Sequence, residues 1–208
     1  MARKPPTNPR KNASQARSRA TVDALVEATA RILVREGFEK ASTNRIAEIA
    51  GVSVGSLYQY FPSKEALVAA VIERHNDETM KVVRTAFVEV ADMPIDKAVR
   101  RLVTVAIEAH HIDPYLHRIL AEQIPRIGQL KDVEASNREV HALVRAYLES
   151  HRKEMRKIDV DVATFICVSA IEAVAHNTVL NGAEMLSEKM VKVLVDETTR
   201  MVVGYLRL

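Results

Sequence analysis

The sequence predicts an all-α protein of about nine helices, with a small basic head ahead of a larger antiparallel helical body. Three observations carry that expectation. Apolar residues recur at spacings of three and four along most of the chain, and no alternating strand pattern survives once turn residues bound each segment. Ser or Asp stands where helices would start, and Gly or Pro where they would stop. Charge is unevenly divided: residues 1–64 hold eleven Lys/Arg against five Asp/Glu, whereas residues 65–208 hold nineteen against twenty-two. A basic head on a mildly acidic body is the footprint of a protein whose front end meets phosphate.

Composition narrows the class. With 208 residues, 48% apolar and 27% charged, the chain can bury a full core. No apolar run reads as long enough to span a bilayer, and Met1–Arg19 lacks the apolar region of a secretory signal. A membrane is therefore not an expected partner, and the cytoplasm is the expected location. Cys167 is the only cysteine, which excludes an internal disulfide and a cysteine zinc cage. The absence of Trp argues against a stacking platform for single-stranded nucleic acid.

Residues 1–19 contain three prolines, six basic residues and no acid, so they cannot build a core and are expected to be a disordered basic arm. A solvated tail and an arm lying along a DNA groove remain equal readings of it. Residues 20–66 follow as a compact head. Val22, Leu25, Val26, Thr29, Ile32 and Leu33 share one face of a first helix, which Gly37 ends in a left-handed cap before Phe38 packs back. Ser42 caps a second, short helix over Thr43–Ala50, and Gly51 stops it. Ser53 caps a third through Tyr60, and Pro62-Ser63 breaks the chain and starts a fourth.

Residues 67–208 form the body. The fourth helix carries a polar middle, Glu73 to Lys81, as a helix joining two domains would. Further helices are expected from Ile95 to about Asp113-Pro114, from there to Pro125, and from Lys131 to Met155. Asp159 then caps a strongly apolar helix to Leu180, stopped by Asn181-Gly182, and the last runs from Glu184 to Tyr205.

The stretch Ser42–Leu67, STNRIAEIAGVSVGSLYQYFPSKEAL, is the informative one. Two short helices joined through Gly51-Val52-Ser53, with small Ala47 where they cross and Leu57 turned inward, make a helix-turn-helix unit. Ile46-Ala47, Gly51-Val52-Ser53, Gly55-Ser56-Leu57-Tyr58, Tyr60-Phe61 and Ser63 to Leu67 resemble the head of the TetR/AcrR family of regulators. Ala28, Leu33 and Glu36-Gly37-Phe38 extend the likeness over about residues 20–75. The resemblance implies a dimeric regulator of transcription, most often a repressor released from a palindromic operator by a small effector.

In such a unit the second helix lies in the major groove, its first residues at base edges. By the resemblance, Val54, Gly55 and Ser56 take that place. Gln59 can pair with adenine, Val54 can meet a thymine methyl, and Thr43 and Asn44 begin the preceding helix, where Asn44 can read a base. Tyr58, Tyr60 and Lys64 match positions that grip phosphate. Ile46, Ala47, Leu57 and Phe61 are core.

The resemblance also implies a homodimer through the last two helices and an effector cavity among the others. Val191, Leu194, Val195, Thr198, Met201, Val202 and Tyr205 form a stripe suited to an interface, joined by Ile166, Ala170, Ile171, Val174 and Val179. Phe87, His110, Tyr147, Phe165, Ser169, Glu172 and His176 are the candidate pocket residues, for a hydrophobic or amphipathic effector. Glu172 and His176, four apart, equally suit a hydrogen-bonded pair in the seam between helices.

Two other classes compete. One is a ligand-independent DNA-binding adaptor on the same fold. The other is a helical metalloenzyme, prompted by Glu108-Ala109-His110-His111, half of a carboxylate-bridged di-metal motif. The second Glu-x-x-His that such a site needs is absent, and Asp113, His117 and Glu122 would have to improvise. No Gly-rich phosphate loop or GxSxG elbow is present. Neither enzymatic activity, metal nor cofactor is expected.

Overall fold

The computed structural model describes residues 16–127, 131–180 and 187–207. Within them the chain is helical: α1 Ala16–Glu36, α2 Thr43–Ala50, α3 Val54–Tyr60, α4 Lys64–Val90, α5 Ile95–His110, α6 Pro114–Ile127, α7 Lys131–Ser150, α8 Val160–Leu180 and α9 Glu188–Arg207. No strand occurs among the described residues.

Local chemistry sets most of these ends. Gly37, at φ 80°, turns the chain out of α1 and donates to the Ile32 and Leu33 carbonyls. The Ser42, Ser53 and Ser63 hydroxyls accept from Arg45, Ser56 and Ala66 N–H and so open α2, α3 and α4. Asp159 does the same for α8, accepting from the Asp161 and Val162 amides.

Some ends differ from expectation. α1 takes in residues 16–19, assigned to the arm, because Ala-Arg-Ser-Arg can extend a helix already nucleated by the apolar face beyond it. Residues 1–15, and the stop at Asn181-Gly182, lie outside the described residues. α6 passes Pro125 by two residues. α7 ends at Ser150, and a 3₁₀ turn over Arg152–Glu154 replaces its last turn. Glu154 then accepts from Ile95 N–H, capping α5, and from Arg207.

The chain divides into two compact units, α4 running from one into the other. The first holds α1–α3, the start of α4 and α6 from Tyr115. Leu25, Leu33, Ile46, Leu57, Phe61 and Leu67 are fully buried there, and buried Thr29 satisfies its hydroxyl on the Leu25 carbonyl at 2.7 Å. The second holds the rest of α4 with α5, α7, α8 and α9, and in it α5 packs on both α8 and α9. Its core joins Ile95, Val103 and Ile107 of α5 to Ala163 and Cys167 of α8 and Val195, Val202 and Leu206 of α9.

α8 requires a correction. Over 21 residues, with mean hydropathy 1.4, it is long and apolar enough to cross a bilayer, contrary to the expectation that no run is. Its packing against α5 and α9 supplies another reason for that composition. A helix covered on one side by its own core, and carrying a second apolar face, is apolar all round.

Candidate nucleic-acid interface

The face begins with the turn between α2 and α3. Gly51 adopts φ 66°, ψ 30°, a left-handed conformation that reverses the chain within three residues, and its amide donates to the Ala47 and Glu48 carbonyls. Val52 N–H adds a bond to the Ala47 carbonyl at 3.0 Å. Ile46, Ala47 and Leu57, at most 1% exposed, lock the two helices from inside. What remains outward is set by helical geometry: Asn44, Gly55, Tyr58 and Gln59 are exposed, and Thr43, Val54 and Ser56 half-buried. The Thr43 and Tyr58 hydroxyls lie 3.1 Å apart, tying the first turn of α2 to the middle of α3. Arg45 stands beside Asn44 and pairs with Glu48 at 3.0 Å and Glu36 at 3.8 Å. Those carboxylates raise its already high pKa, the hydrogen bond that Arg45 donates to Glu48 first.

Two expected phosphate contacts are placed differently. Tyr60 is only 7% exposed and is part of the core of the head, because the seven-residue α3 turns its last side chain inward beside Phe61. Lys64 is half-buried; its Nζ donates to the Phe38 carbonyl at 3.1 Å and lies 3.9 Å above the Phe38 ring. It clamps the loop after α1 to the start of α4. Lys64→Ala is therefore expected to destabilise the head by about 1–2 kcal/mol. An unchanged thermal midpoint would return Lys64 to the role of a solvent-facing phosphate contact.

The candidate pocket residues scatter. Tyr147 is buried in the core of the second unit, donates to the Met93 carbonyl at 2.7 Å and stacks on His151; burial first, then nearby Glu154 and Asp96, push its pKa up to about 12. It packs in that core and ties α7 to the Met93 carbonyl. Phe165, Ser169 and Glu172 are exposed on α8, Phe165 at 63%. Phe87 packs at the edge of the core. His110 is buried at the end of α5, with Glu172 3.2 Å from its Nε2 and the Ala106 carbonyl 2.8 Å from its Nδ1. Burial opposes its charge, but the Glu172 hydrogen bond and charge, with the Ala106 carbonyl, outweigh it and raise the pKa. Glu172 thus bonds across to α5, a pairing that spacing within α8 does not reveal. His176 sits edge-on to His110, ring centroids 6.1 Å apart. His111, the histidine of the Glu-x-x-His spacing, turns its Nε2 to the Thr178 hydroxyl at 2.8 Å. Cys167 is buried, and burial pushes its thiol up to about 11, which leaves it inert.

The expected dimer stripe also divides. Val195, Thr198 and Val202 of α9 are buried in their own unit, and Val191, Leu194, Tyr205 and Ile171 pack against that core. The exposed apolar residues are Val162, Phe165, Ile166 and Leu180 of α8 and Val193 and Met201 of α9.

A capped helix-turn-helix, with polar side chains on its outer face and a second helical unit in the same chain, defines a DNA-binding regulator of transcription. Comparison with known proteins agrees. Residues 25–71 match the model of bacterial regulatory proteins of the tetR family, and residues 94–206, over half of the chain, match the tetracyclin repressor-like C-terminal domain. The chain belongs to the TetR family. A helix-turn-helix-type transcriptional regulator of Mycobacterium tuberculosis is 30% identical over 139 residues, 66% of each chain, just under two thirds of that relative's length. The transcriptional activator FasR of Mycolicibacterium smegmatis is 42% identical over 62 residues, 30% of this chain and 28% of its own. In fold, a TetR-family regulator from Mesorhizobium loti superposes with TM-score 0.74 at 15% identity, over 93% of this chain and 100% of that one.

Proposed function

We propose that the protein is a cytoplasmic homodimeric repressor that reads a palindromic operator and is released by a hydrophobic or amphipathic small molecule held in its body. The observation that carries the reading is the outer face of α2 and α3, where Asn44, Gly55, Tyr58 and Gln59 are exposed around a turn rigidified by three caps. Side chains held by a rigid scaffold are what base readout needs, because each badly placed hydrogen bond loses its discrimination. Val54, Gly55 and Ser56 enter the major groove first; Gln59 and Asn44 reach base edges; Thr43 and Tyr58 hold the backbone, oriented by their mutual hydrogen bond. The amide ends of α3 and α4 add phosphate contacts.

A second copy covers the exposed apolar residues of α8 and α9, and a twofold axis then sets two heads about 34–36 Å apart, or a multiple of it, to match successive major grooves. Phe87, His110 and His176 remain the candidates for effector contact. Repression is the reading favoured by the likeness of residues 94–206 to a repressor's C-terminal domain. The partial likeness to the activator FasR is the observation that favours activation instead.

Capture of sheared genomic DNA on the purified protein tests the reading. A few enriched fragments sharing an inverted repeat are expected; uniform recovery would reduce the head to a polycation. On the recovered operator, Gln59→Ala is expected to relax preference at one base pair per half-site, at about 1–3 kcal/mol. An equal loss on every sequence would remove Gln59 as a reader.

A further inference from the structure

We infer that Arg45 is a further DNA-binding residue of the head: its guanidinium takes a backbone phosphate, and Glu36 and Glu48, which hold it in the free protein, compete with that phosphate and so temper the affinity. The inference rests on the DNA-binding reading above and adds a residue outside the set named there.

Neutralised phosphates supply most of the sequence-independent affinity of a protein for a duplex, so the outer face of the head needs cations. Two groups expected to grip phosphate are engaged elsewhere: Tyr60 is buried, and the Lys64 ammonium is bonded to the Phe38 carbonyl and lies over the Phe38 ring. Arg45 stands in the first turn of α2, next to Asn44, with its side chain 45% exposed. The capping Ser42 hydroxyl accepts from its amide and fixes the backbone from which the side chain starts. Burial of Ile46 and Ala47 fixes the rotation of α2, which leaves Asn44, Arg45 and Glu48 exposed.

The guanidinium is held without being used up. Its Nη1 donates to Glu48 Oε2 at 3.0 Å, whereas Glu36 Oε1 is 3.8 Å from Nη2, an ion pair too long for a hydrogen bond. Of the five N–H donors of an arginine, one is engaged among the described residues and four are left for phosphate oxygens, which the planar fork suits. Exposed ion pairs of this kind add little to the stability of a fold. Their effect on DNA is larger and has a definite sign. Each carboxylate repels phosphate and competes with it for the same cation, so removing one strengthens binding, whereas removing Arg45 weakens it.

The test is a salt series of binding titrations, on the fragment recovered by genomic capture and on poly(dI-dC), for wild type, Arg45→Met, Arg45→Lys and Glu48→Gln, with a melting curve of each. Arg45→Met is expected to lose about one unit from the slope of log affinity against log salt, on both duplexes alike. Its deficit against wild type should then shrink about three- to fourfold between roughly 50 and 200 mM salt. Arg45→Lys keeps the charge and should keep the slope, but binds more weakly than wild type because the fork is lost. Glu48→Gln is expected to bind several-fold tighter, and all melting midpoints should stay close to wild type. An unchanged slope in Arg45→Met, or no gain in Glu48→Gln, overturns the inference and leaves Arg45 as a tie between α1 and α2. If capture yields no operator, the operator reading fails by itself, and the slopes on poly(dI-dC) still decide Arg45; a wild type that binds neither duplex overturns both.

Discussion

Gly55→Leu is expected to abolish operator binding and leave the head folded. Gly55 is the second residue of α3 and is exposed. A Cβ there would meet only the Ser53 hydroxyl, at 3.9 Å, an ordinary contact, and its backbone is not in the left-handed region that glycine alone favours. The free protein therefore has room for a side chain, and replacing glycine within a helix stabilises it by about 0.5–1 kcal/mol. In the groove the same side chain would stand between backbone and DNA and lift α3 away from every base edge at once. Affinity should fall to the non-specific level, a loss of about a thousandfold or more, while the thermal midpoint holds or rises. Fluorescence anisotropy on the operator and a melting curve of the same sample check both halves. Wild-type affinity in the variant would mean that the first turn of α3 does not face the groove.

The second large effect is expected from Phe165→Glu. Phe165 is 63% exposed in the single chain, so the change costs the monomer's fold little. Against a second copy of α8 it places a carboxylate in an apolar contact, a burial that costs several kcal/mol without a partner for the charge. Sedimentation should then show a monomer, and operator affinity should collapse because one head reads one half-site alone. The experiment separates the two apolar faces of the body: Val195→Glu, on the inner stripe, should unfold the second unit instead. A dimer that survives Phe165→Glu with intact DNA binding would remove the outer face of α8 from the interface.

Legibility in the sequence varied with the range of the interaction. The capping serines and the two positive-φ glycines, Gly37 and Gly51, act over three or four residues, and their signals sit next to one another in the chain. The head was readable for that reason, and Leu57 and Ile46 are buried where the spacing puts them. The burial of Tyr60 is not legible in the sequence, because exposure at the end of a seven-residue helix depends on how that helix meets its neighbours. The Lys64 partner lies 26 residues away. Helical periodicity identified which residues of α9 share a face, but not what covers that face. Val195, Thr198 and Val202 form a stripe equally suited to a partner and to the chain's own core, and the core has them. The α8 residues expected in the same interface divide likewise, Ile166 being exposed and Val179 buried.

Sequence by itself determined the helical class, the position and turn of the helix-turn-helix, its family and the basic character of the head, because each depends on local hydrogen bonding or on composition. Tertiary structure alone decided which apolar stripe is core, that Tyr147 is buried and bonded to the Met93 carbonyl, and that Glu172 reaches across to His110. The last two bring together groups 54 and 62 residues apart in the chain. No periodicity within one helix encodes such a distance; the packing of α5 against its neighbours does.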